Sequence, residues 1–517
     1  MMNKTDTYKI KTALISVSDK TGIVDFAKQL VELGIEIYST GGTEQALHNS
    51  KVPCKSITSL TGFPESFDGR VKTLHPAIHA GLLAELDNPD HLSQLDKFGF
   101  KSIDLLVVNL YPFEEKLSQK DIQQKELIEN IDIGGPTMLR AAAKNYLWTA
   151  PIINPERYSQ ILEVLKDRNC TIPEALRFEL AGEVFAETSY YDALIGDYFK
   201  KANNIDSQKH FAIPMKLDQH LRYGENPHQS AWLYGNFTKI CKQLHGKELS
   251  FNNIVDINAA CNLIMEFDEP TAAIIKHTNP CGVGTAENVK DAYLKAFETD
   301  KESPFGGIII VNQPFTLDLA EIINEIFTEV LIAPEFTPEA LEFLKKKKNR
   351  RLMQVDFNKF KDANKIDIKT VADGFLLQTS DTKLVEGELE FVTKRKPTAI
   401  EMQSMLFSFK VAKHVKSNSI VFTKYDRTLG IGAGQMSRVD SARIAAEKAK
   451  MMGLDLANST VASDAFFPFE DGLIEVAKAG ATAVIQPGGS VRDDDVIKAA
   501  DENNIAMVFT GMRHFRH

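Results

Sequence analysis

The feature that most constrains the fold is a recurring series: a short apolar run, a turn of glycine or small polar residues, and a stretch with helical periodicity. The chain opens with it, because a strand is predicted at 12–17, a helix at 21–33, a strand at 35–39 and a Gly-rich turn at 40–43. A buried strand at 103–110 and a helix at 137–145 continue the series. Alternating strands and helices predict an α/β fold with a parallel sheet, in which ligands bind at the carboxyl ends of the strands.

The length of 517 residues exceeds that of a single domain, for which about 150 residues is typical. A polar stretch at 201–210 lacks periodicity and precedes Pro214, so we expect a boundary near residue 205 that separates a domain at 1–205 from a region at 206–517. Apolar runs at 272–275, 308–311, 420–422 and 481–485 predict two α/β subdomains in that region. We find no repeat of fixed period.

The charge balance argues against several classes of partner. Lysine and arginine number 60 against 70 aspartates and glutamates, and the net charge of −10 opposes general binding to nucleic acid or to anionic membranes. We interpret the basic run at 345–348, with Arg350 and Arg351, as a solvated face. There is no apolar leader and no run of about 18 apolar residues, so we expect neither secretion nor a membrane span. The five cysteines form no CxxC pair, which favours the reducing cytoplasm.

One group of candidate residues surrounds the turn at 40–43. Two glycines between a strand and a helix leave backbone N–H groups free to bind a phosphate. Hydroxyls and cations in two neighbouring loops are able to converge on the same anion. The group consists of Ser16, Ser18, Lys20, Thr40, Gly41, Gly42, Thr43, Arg70, Lys72 and Thr73. The alternative is a plain turn with Thr43 as the helix cap and a solvated Arg70–Lys72 pair.

A second group offers acid and base chemistry without metal ligands. Tyr111 follows the strand at 103–110, Asp132 precedes a Gly-Gly turn, and Lys144 ends the next helix. Together with Lys72 they form a set that is able to move protons. The alternative is structural, with Tyr111 as a packed aromatic residue and Asp132 as a helix cap.

Lys276 and His277 follow the apolar run at 272–275, so both leave a strand into a loop. Histidine is the natural proton shuttle near neutral pH, and lysine stabilises developing negative charge. The next residues match part of the zinc deaminase signature, H-x-E followed by P-C-x-x-C. The signature fails, because residue 284 is glycine and Asn279 stands at the glutamate position, so we expect no zinc.

Two further glycine-rich stretches precede helices. The spacing at 430–435 resembles a dinucleotide-binding loop but has Gln435 where the third glycine is needed, so it does not support a Rossmann site. Arg438 is nevertheless placed to contact an anion beside it. The turn at 487–490 fits either an anion site or a plain turn.

Several long motifs, in this order, resemble those of a known family. They are the stretches at 16–22, 39–43, 61–65, 70–76, 109–113 and 132–144, followed by those at 221–229, 276–282, 430–438, 463–469 and 511–517. Over essentially its whole length the chain resembles the bifunctional purine biosynthesis proteins, which pair an AICAR transformylase with an IMP cyclohydrolase. The resemblance implies an N-terminal methylglyoxal-synthase-like domain that closes the purine ring and two cytidine-deaminase-like subdomains that transfer the formyl group.

The resemblance also implies a role for each matching residue. In formyl transfer from 10-formyltetrahydrofolate to the aminoimidazole nucleotide AICAR, His277 would take the amine proton, and Lys276 would stabilise the oxyanion or protonate the leaving nitrogen. Residues that would hold the nucleotide or shape the folate site are Arg222, Tyr223, Asn418, Arg438, Phe466 and Arg513. Ring closure of the formylated product FAICAR would use Lys72, Tyr111, Asp132 and Lys144, with the nucleotide held by Ser16, Ser18, Lys20, Arg70 and the turn at 40–43.

The family further implies a homodimer with transformylase sites built across subunits, and a potassium ion near them. Two departures from its pattern are Ser66–Phe67, where a bulkier apolar pair is expected, and Glu329, where some members carry aspartate. Two rival functions stay open. One is a methylglyoxal-synthase-type phosphate lyase fused to a zinc-free deaminase relic, against which the motif at 70–76 argues. The other is a nucleotide sensor with decayed sites, against which the intact Lys276, His277 and Tyr111 argue.

Overall fold

The computed structural model describes residues 4–64, 67, 70–205, 209–363 and 365–517. Internal contacts divide the chain into two compact units, unit 1 at Met1–Met215 and unit 2 at Lys216–His517. The boundary expected near residue 205 falls just after the last helix of unit 1. Among the described residues, no helix has both the length and the apolar composition needed to cross a membrane.

Unit 1 alternates strands and helices. Its strands are β1 (Thr12–Ser16), β2 (Glu36–Ser39), β3 (Lys55–Ser56), β4 (Leu105–Val108) and β5 (Ala150–Ile152), and its α-helices are α1 (Ile23–Glu32), α2 (Gly41–Asn49), α3 (Thr58–Thr61), α4 (Pro76–Leu83), α5 (Pro89–Phe98), α6 (Phe113–Leu117), α7 (Gln124–Glu129), α8 (Gly134–Lys144), α9 (Tyr158–Asp167) and α10 (Glu174–Ala202). The strands form one parallel sheet in the order β3-β2-β1-β4-β5. The strand order reverses between β1 and β4, which is where open α/β sheets bind ligands.

The central strands of unit 1 are apolar because helices cover both faces of the sheet. Successive residues of β1 point to opposite faces, so Ala13 and Ile15 pack with α1 and α9, whereas Leu14 packs with α4, α8 and α10. Each fully buried Leu or Ile stabilises such a core by about 1.5–3 kcal/mol. Most of the first group of candidate residues lies at the carboxyl ends of β1 and β2, whereas Arg70, Lys72 and Thr73 lie in the segment before α4.

Unit 2 contains two ribbons and one large sheet. It starts with the ribbon of β6 (Leu217–Leu221) and β7 (Ala231–Tyr234) and with α11 (Phe237–Ile240). The first half of the sheet region consists of β8 (Cys241–His245), α12 (Phe251–Ile264), β9 (Thr271–Lys276), β10 (Asn279–Thr285), α13 (Val289–Thr299), β11 (Ile308–Val311), α14 (Leu317–Ile323), β12 (Val330–Ala333), α15 (Pro338–Lys345) and β13 (Arg351–Val355). Helix α16 (Phe357–Ala363) and the ribbon of β14 (Ile366–Val371) and β15 (Gly374–Thr379) follow.

The second half consists of β16 (Glu390–Phe391), α17 (Ala399–Ala412), β17 (Ile420–Lys424), β18 (Arg427–Gly432), α18 (Arg438–Met451), β19 (Ser459–Ser463), α19 (Glu470–Lys478), β20 (Ala481–Gln486), α20 (Asp493–Glu502) and β21 (Ala506–Phe509). Twelve strands form a single sheet in the order β16-β21-β20-β19-β17-β18-β10-β9-β11-β12-β13-β8. The two subdomains expected from the sequence therefore share one continuous sheet.

The two halves of this sheet are copies of one topology. In each half an antiparallel hairpin is followed by a strand antiparallel to the first hairpin strand, then by two parallel strands and an antiparallel edge strand. Both halves start their first helix with a capping box, on Ser250 and Asn253 in one copy and on Thr398 and Glu401 in the other. Unit 2 thus contains an internal duplication that the sequence does not reveal as a repeat.

Paired glycines mark equivalent places in the two copies. A Cβ on Gly284 of β10 would lie 2.4 Å from the carbonyl oxygen of Ala292 on α13, and a Cβ on Gly432 of β18 would lie 1.9 Å from that of Ser441 on α18. Each glycine lets a helix backbone pack directly on a strand. The resemblance of the stretch at 430–435 to a dinucleotide-binding loop is therefore misleading, because its first residues belong to a buried strand.

The copies meet where β10 pairs antiparallel with β18, through Gly284 and Arg427. This antiparallel pairing relates the copies by an approximate twofold rotation. The turn between β9 and β10 therefore lies at the same end of the strands as the start of β17 and the end of β18, and we call this end one edge of the sheet. Lys276 ends β9 at this edge, and Asn418 precedes β17 at the same edge, where Asn279 accepts the backbone N–H of Lys416 at 2.9 Å. The candidate residues of both copies are thereby gathered on one side of unit 2.

The basic run differs from the sequence interpretation. Lys346, Lys347 and Lys348 are exposed, as expected of a solvated face, but Arg350 is only 3% exposed and donates to the side-chain oxygen of Asn324 at 3.3 Å. Arg351 donates to the carbonyl oxygen of Glu248. The interpretation is wrong for the two arginines, because Arg350 is buried directly before β13 and Arg351, the first residue of β13, bonds neighbouring backbone.

Candidate active sites

Unit 1 contains a cavity of about 630 Å³ at the carboxyl ends of β1, β2 and β4. Twelve predicted residues line it: Ser16, Ser18, Lys20, Thr40, Gly41, Gly42, Thr43, Arg70, Lys72, Thr73, Tyr111 and Asp132. Lys144 is the exception, since it ends α8 on an exposed turn and does not line the cavity. Its catalytic role stays a prediction from the resemblance. Of the departure at 66–67, Ser66 lies outside the described residues and Phe67 is exposed.

The cavity concentrates positive charge at the start of α2. A Cβ on Gly41 would lie 3.3 Å from Nζ of Lys72, and one on Gly42 would lie 3.8 Å from Nζ of Lys20. Two ammonium groups therefore flank the first turn of a nine-residue helix, whose backbone N–H groups favour an anion. This arrangement suits a phosphate monoester.

Several side chains of the predicted anion group already form hydrogen bonds within the protein, among them those of Thr43 and Arg70. The hydroxyl of buried Thr43 accepts the backbone N–H of Val17 and donates to the carbonyl of Val17, both at 3.0 Å. Arg70 forms a bidentate pair with Glu129 of α7, with Nε donating to one carboxylate oxygen at 3.1 Å. Thr43 thus joins β1 to α2, and Arg70 reaches the cavity as part of an ion pair.

Asp132 is the most perturbed acid of the cavity. It accepts the backbone N–H of Gly135 at 2.8 Å, where a Cβ would lie 2.3 Å from the Asp132 carboxylate. Burial raises the pKa of Asp132, while backbone N–H groups of Gly135 and Tyr111 oppose the rise. Asp132 thus accepts an N–H of the first turn of α8, whose N-cap residue is Ile133, and its role as a base stays a prediction.

Sequence reasoning missed two residues that position these groups. The amide of Asn109 accepts the backbone N–H groups of Ser18 and Asp19 at 2.6 and 3.0 Å and donates to the carbonyl of Asp19, so it holds the loop after β1. The buried hydroxyl of Tyr191 accepts the backbone N–H of Asp132 at 2.9 Å. A polar residue directly after a buried strand was the available signal for Asn109, whereas Tyr191 lies on the distant α10 and gave none.

Unit 2 contains a smaller cavity of about 210 Å³ next to Lys276 and His277. It lies where the two copies meet, since Asn279 and Asp300 come from the first copy and Lys448 from the second. Nζ of Lys276 donates to the carbonyl oxygens of Ser303 at 3.2 Å and Phe305 at 2.9 Å. The lysine side chain is thereby fixed beside the histidine.

His277 and Thr278 form the two-residue turn between β9 and β10. Their φ angles are 52° and 64°, the left-handed region that residues with a Cβ rarely adopt. The carboxylate of Asp256 on α12 accepts the backbone N–H of Thr278 at 2.7 Å. Burial raises the pKa of Asp256, and the N–H groups of Thr278 and His277 oppose the rise. Backbone in the left-handed region that is held by a half-buried acid is compatible with a functional site.

A polar cluster near this turn includes Glu329. Glu329 accepts from the side chain of Asn253 at 3.1 Å and forms an ion pair with Arg351 at 3.7 Å. Arg222 donates to the hydroxyl of Tyr223 at 2.9 Å and stacks on its ring, and charges of both influence the pKa of Arg351. The structure thus brings Arg222, Tyr223 and Glu329 together around Arg351, outside the 210 Å³ cavity.

The second copy supplies another cluster. Arg438 donates to the hydroxyl of Ser463 at 3.2 Å and to the Asp464 carboxylate at 3.3 Å, and burial lowers its pKa while the charge of Arg513 lowers it further. Asp464 is fully buried, and its Oδ2 has no hydrogen-bond partner among the described residues.

Two more predicted residues of the second copy lie outside the small cavity. Asn418 donates to the carbonyls of Gln435 and Met436, and Phe466 is half-buried in the loop after β19.

The deaminase zinc signature is broken at position 284 by a glycine. Position 284 needs a glycine, because α13 packs on the backbone at that point. Across the part of the chain that the structure describes, no group of three or more His, Cys, Asp or Glu side chains is arranged to hold a metal ion.

Comparison with known proteins matches both halves of the chain. A sequence model of the family described as "AICARFT/IMPCHase bienzyme" matches residues 142–448, and one described as "MGS-like domain" matches residues 22–137. The second match confirms the α/β fold expected at the N-terminus. A solved structure titled "Crystal structure of ForH" is 32% identical and covers 37% of this chain and 96% of that one, with a TM-score of 0.35.

Curated relatives match over nearly the whole length. The bifunctional purine biosynthesis protein PurH of Chlorobaculum parvum is 52% identical and covers 98% of this chain and 99% of its own. The protein of the same name from Chlorobium phaeobacteroides strain DSM 266 is 51% identical with the same coverage. The chain therefore belongs to the family of AICARFT/IMPCHase bienzymes and is an AICAR formyltransferase and an IMP cyclohydrolase, the enzyme of the last two steps of IMP synthesis.

Proposed function

We propose that unit 1 closes the purine ring and that unit 2 transfers the formyl group, with boundaries near those predicted at 1–205 and 206–517. The observation that carries the assignment of unit 1 is the meeting of Lys20, Lys72 and the start of α2 in one cavity with half-buried Asp132. An anion site and a perturbed acid in the same cavity suit a nucleotide monophosphate whose base undergoes proton transfer.

In ring closure the phosphate of FAICAR binds at the start of α2, held by Lys20, Lys72 and the turn at 40–43. The carboxamide nitrogen attacks the formyl carbon of the same molecule, and the ionised carboxylate of Asp132 accepts the proton that the nitrogen loses. Tyr111 or Lys72 protonates the formyl oxygen, which gives a hydroxyl on the new ring carbon. Asp132 then returns its proton to this hydroxyl, and the deprotonated Tyr111 or Lys72 takes back a proton from the formamide nitrogen. That nitrogen forms the C=N bond as water leaves, which gives IMP. The reaction is intramolecular, so positioning supplies much of the rate.

In formyl transfer the amine of AICAR attacks the formyl carbon of 10-formyltetrahydrofolate. His277 takes the amine proton, and Lys276 stabilises the oxyanion and protonates the leaving nitrogen, which yields FAICAR and tetrahydrofolate. Residues assigned to binding the nucleotide or the folate are Arg222, Tyr223, Asn418, Arg438, Phe466 and Arg513. The shared sheet edge of Lys276 and Asn418 supports this assignment, because groups from both copies then face one substrate pair.

A candidate ligand for the potassium ion implied by the family lies beside Arg438. It is Oδ2 of Asp464, a buried carboxylate oxygen that has no hydrogen-bond partner among the described residues and fits a monovalent cation. The cation would neutralise this charge beside Arg438 when bound. No step above uses it.

We further propose a cytoplasmic homodimer. The β14–β15 ribbon exposes both of its faces, with Phe375 and Leu376 more than half exposed, and an uncovered two-stranded ribbon is marginally stable in water. A second copy that covers this surface would stabilise it. The five cysteines are free thiols, which is the state that the cytoplasm maintains.

The test incubates the purified protein with AICAR and 10-formyltetrahydrofolate and follows tetrahydrofolate by absorbance and IMP by chromatography. We expect both products in step. Accumulation of FAICAR would contradict the cyclohydrolase role of unit 1, and absence of both products would favour a nucleotide sensor. Sedimentation analysis of the same sample measures the oligomeric state.

A further inference from the structure

The side chain of Lys276 is held by a loop of the first copy, and this loop is bonded to Lys448 of the second copy through Asp300. We define the Asp300 loop as residues 300–306. Its carbonyl oxygens at Ser303 and Phe305 accept two of the three N–H bonds of the Lys276 ammonium group, at 3.2 and 2.9 Å. One N–H therefore remains for a ligand in the neighbouring cavity, and its direction depends on where these two carbonyls lie.

The Asp300 loop is organised by the carboxylate of Asp300 itself. One oxygen accepts the backbone N–H groups of Glu302 and Ser303 at 3.1 and 2.9 Å. The other accepts the Ser303 hydroxyl at 2.6 Å and Nζ of Lys448 at 2.7 Å. The Asp300 side chain is 6% exposed, so its charge needs a cation nearby, and Lys448 of α18 supplies it.

We propose that Lys448 is a positioning residue for formyl transfer, which acts through Asp300 and the Asp300 loop on the ammonium group of Lys276. Lys448 belongs to the second copy and Lys276 to the first. The contact between the two copies therefore fixes the geometry of the sheet edge that carries Lys276 and His277. Without Lys448 the buried Asp300 carboxylate loses its counter-charge, the loop relaxes, and the two carbonyls no longer hold Lys276. This inference rests on the proposed role of Lys276.

The test compares steady-state formyl transfer in full-length variants. Lys448→Met should lower kcat about 10- to 100-fold, because a displacement of about 1 Å costs that much, and should leave KM for AICAR within about twofold. Lys448→Arg keeps the charge and should restore most of kcat. Lys450→Met is the matched control, because Lys450 lies on the same helix, is exposed and forms no ion pair among the described residues. Cyclisation of supplied FAICAR should be unchanged in all three.

A double-mutant cycle separates this inference from the role of Lys276. If Lys276→Met has little effect, the proposed role of Lys276 is wrong and the inference fails with it. If Lys276→Met lowers kcat strongly but measurably and Lys448→Met has normal kcat, only the positioning inference is wrong. We expect Lys448→Met to cause little further loss in the Lys276→Met background, and additive losses would overturn the proposal. Should Lys448→Met fold poorly, Ser303→Ala removes a different bond to Asp300 and should lower kcat in the same way.

Discussion

The carboxylate of Asp256 lies behind the turn that carries His277 and accepts the backbone N–H of the next residue, Thr278, at 2.7 Å. Both turn residues have positive φ angles, which cost about 1–2 kcal/mol each. We expect Asp256→Ala to lower kcat for formyl transfer about 10- to 100-fold, because the turn relaxes and the imidazole moves. Asp256→Asn keeps an acceptor oxygen and should retain most activity. Equal activity in both variants would show that the bond is unimportant.

His277→Ala should reduce formyl transfer at least about 100-fold, because no other group at the turn takes the amine proton. Cyclisation of supplied FAICAR should continue at the wild-type rate, since the cavity of unit 1 has its own acid and base. The two rates are measured separately, by tetrahydrofolate release and by IMP formation. Equal loss of both activities would contradict the two-site assignment.

The close approach of Lys72 to Gly41 makes this glycine sensitive to substitution. Gly41→Ala introduces a Cβ 3.3 Å from the Lys72 ammonium group at a φ of +42°, so we expect KM for FAICAR to rise about tenfold or more. Gly34→Ala is the matched control, because Gly34 has a φ of +80° but no atom within 4 Å of the added Cβ. It should cost stability, by about 1 kcal/mol, and leave KM unchanged. A normal KM in Gly41→Ala would argue against phosphate binding at this turn.

Asp132 gives ring closure a defined pH dependence. Burial raises the pKa of Asp132, so the carboxylate takes up a proton at higher pH than an exposed aspartate. As the proposed base it has to be ionised, and the rate should therefore fall as pH drops through this raised pKa. Rates with supplied FAICAR between about pH 4 and 9 should show this acid limb. In Asp132→Asn the acid limb of the pH–rate profile should disappear, and the rate should fall about 10²- to 10⁴-fold. An unchanged limb in the variant would assign it to another group.

We expect a buried cluster of Glu266, which follows α12, with Lys413 and His414, which follow α17, to contribute to the acid stability of unit 2. Burial raises the pKa of Glu266, but the hydrogen bond from His414 and the charges of His414 and Lys413 outweigh this and lower it to about 2. The stabilisation is therefore complete above the ordinary value of 4.5 and is lost as pH falls toward about 2. Glu266→Gln should destabilise the protein by roughly 3 kcal/mol near pH 7, because Lys413 is left buried without its partner.

Urea unfolding at several pH values measures this loss. The difference in the free energy of unfolding between Glu266→Gln and the wild type should become smaller below about pH 4. The exposed Glu269, which follows the same helix, provides the control variant Glu269→Gln. A difference in the free energy of unfolding that stays constant with pH would mean that Glu266 acts through packing alone.

Much of the fold follows from local patterns. The strand predicted at 308–311 is observed as Ile308–Val311, because four buried apolar residues beside glycines leave no other choice. The helix predicted at 137–145 begins earlier, at Gly134, and the Asp132 carboxylate accepts the backbone N–H of Gly135 in its first turn. Strand ends and glycine turns also led to the residues that line the large cavity.

Other features depend on contacts that no local pattern encodes. Arg350 resembles its lysine neighbours in sequence, yet the backbone of Arg350 packs against Gly246 and its side chain is buried. Gly430 and Gly432 resemble a phosphate loop, but α18 lies directly on them. Asp256 and Lys448 were not identified, because each lies on a helix face whose partner is distant in the chain.

The antiparallel pairing of β10 with β18 also bears on how unit 2 folds. Each copy can form its own hairpin from neighbouring residues, but the joint links segments separated by an entire copy, and such long-range pairing forms slowly. Until it forms, β10 and β18 are both open strand edges, which readily pair with other chains. The β10–β18 pairing brings the candidate residues of both copies together. It is therefore also the place where a newly made chain is most exposed to aggregation.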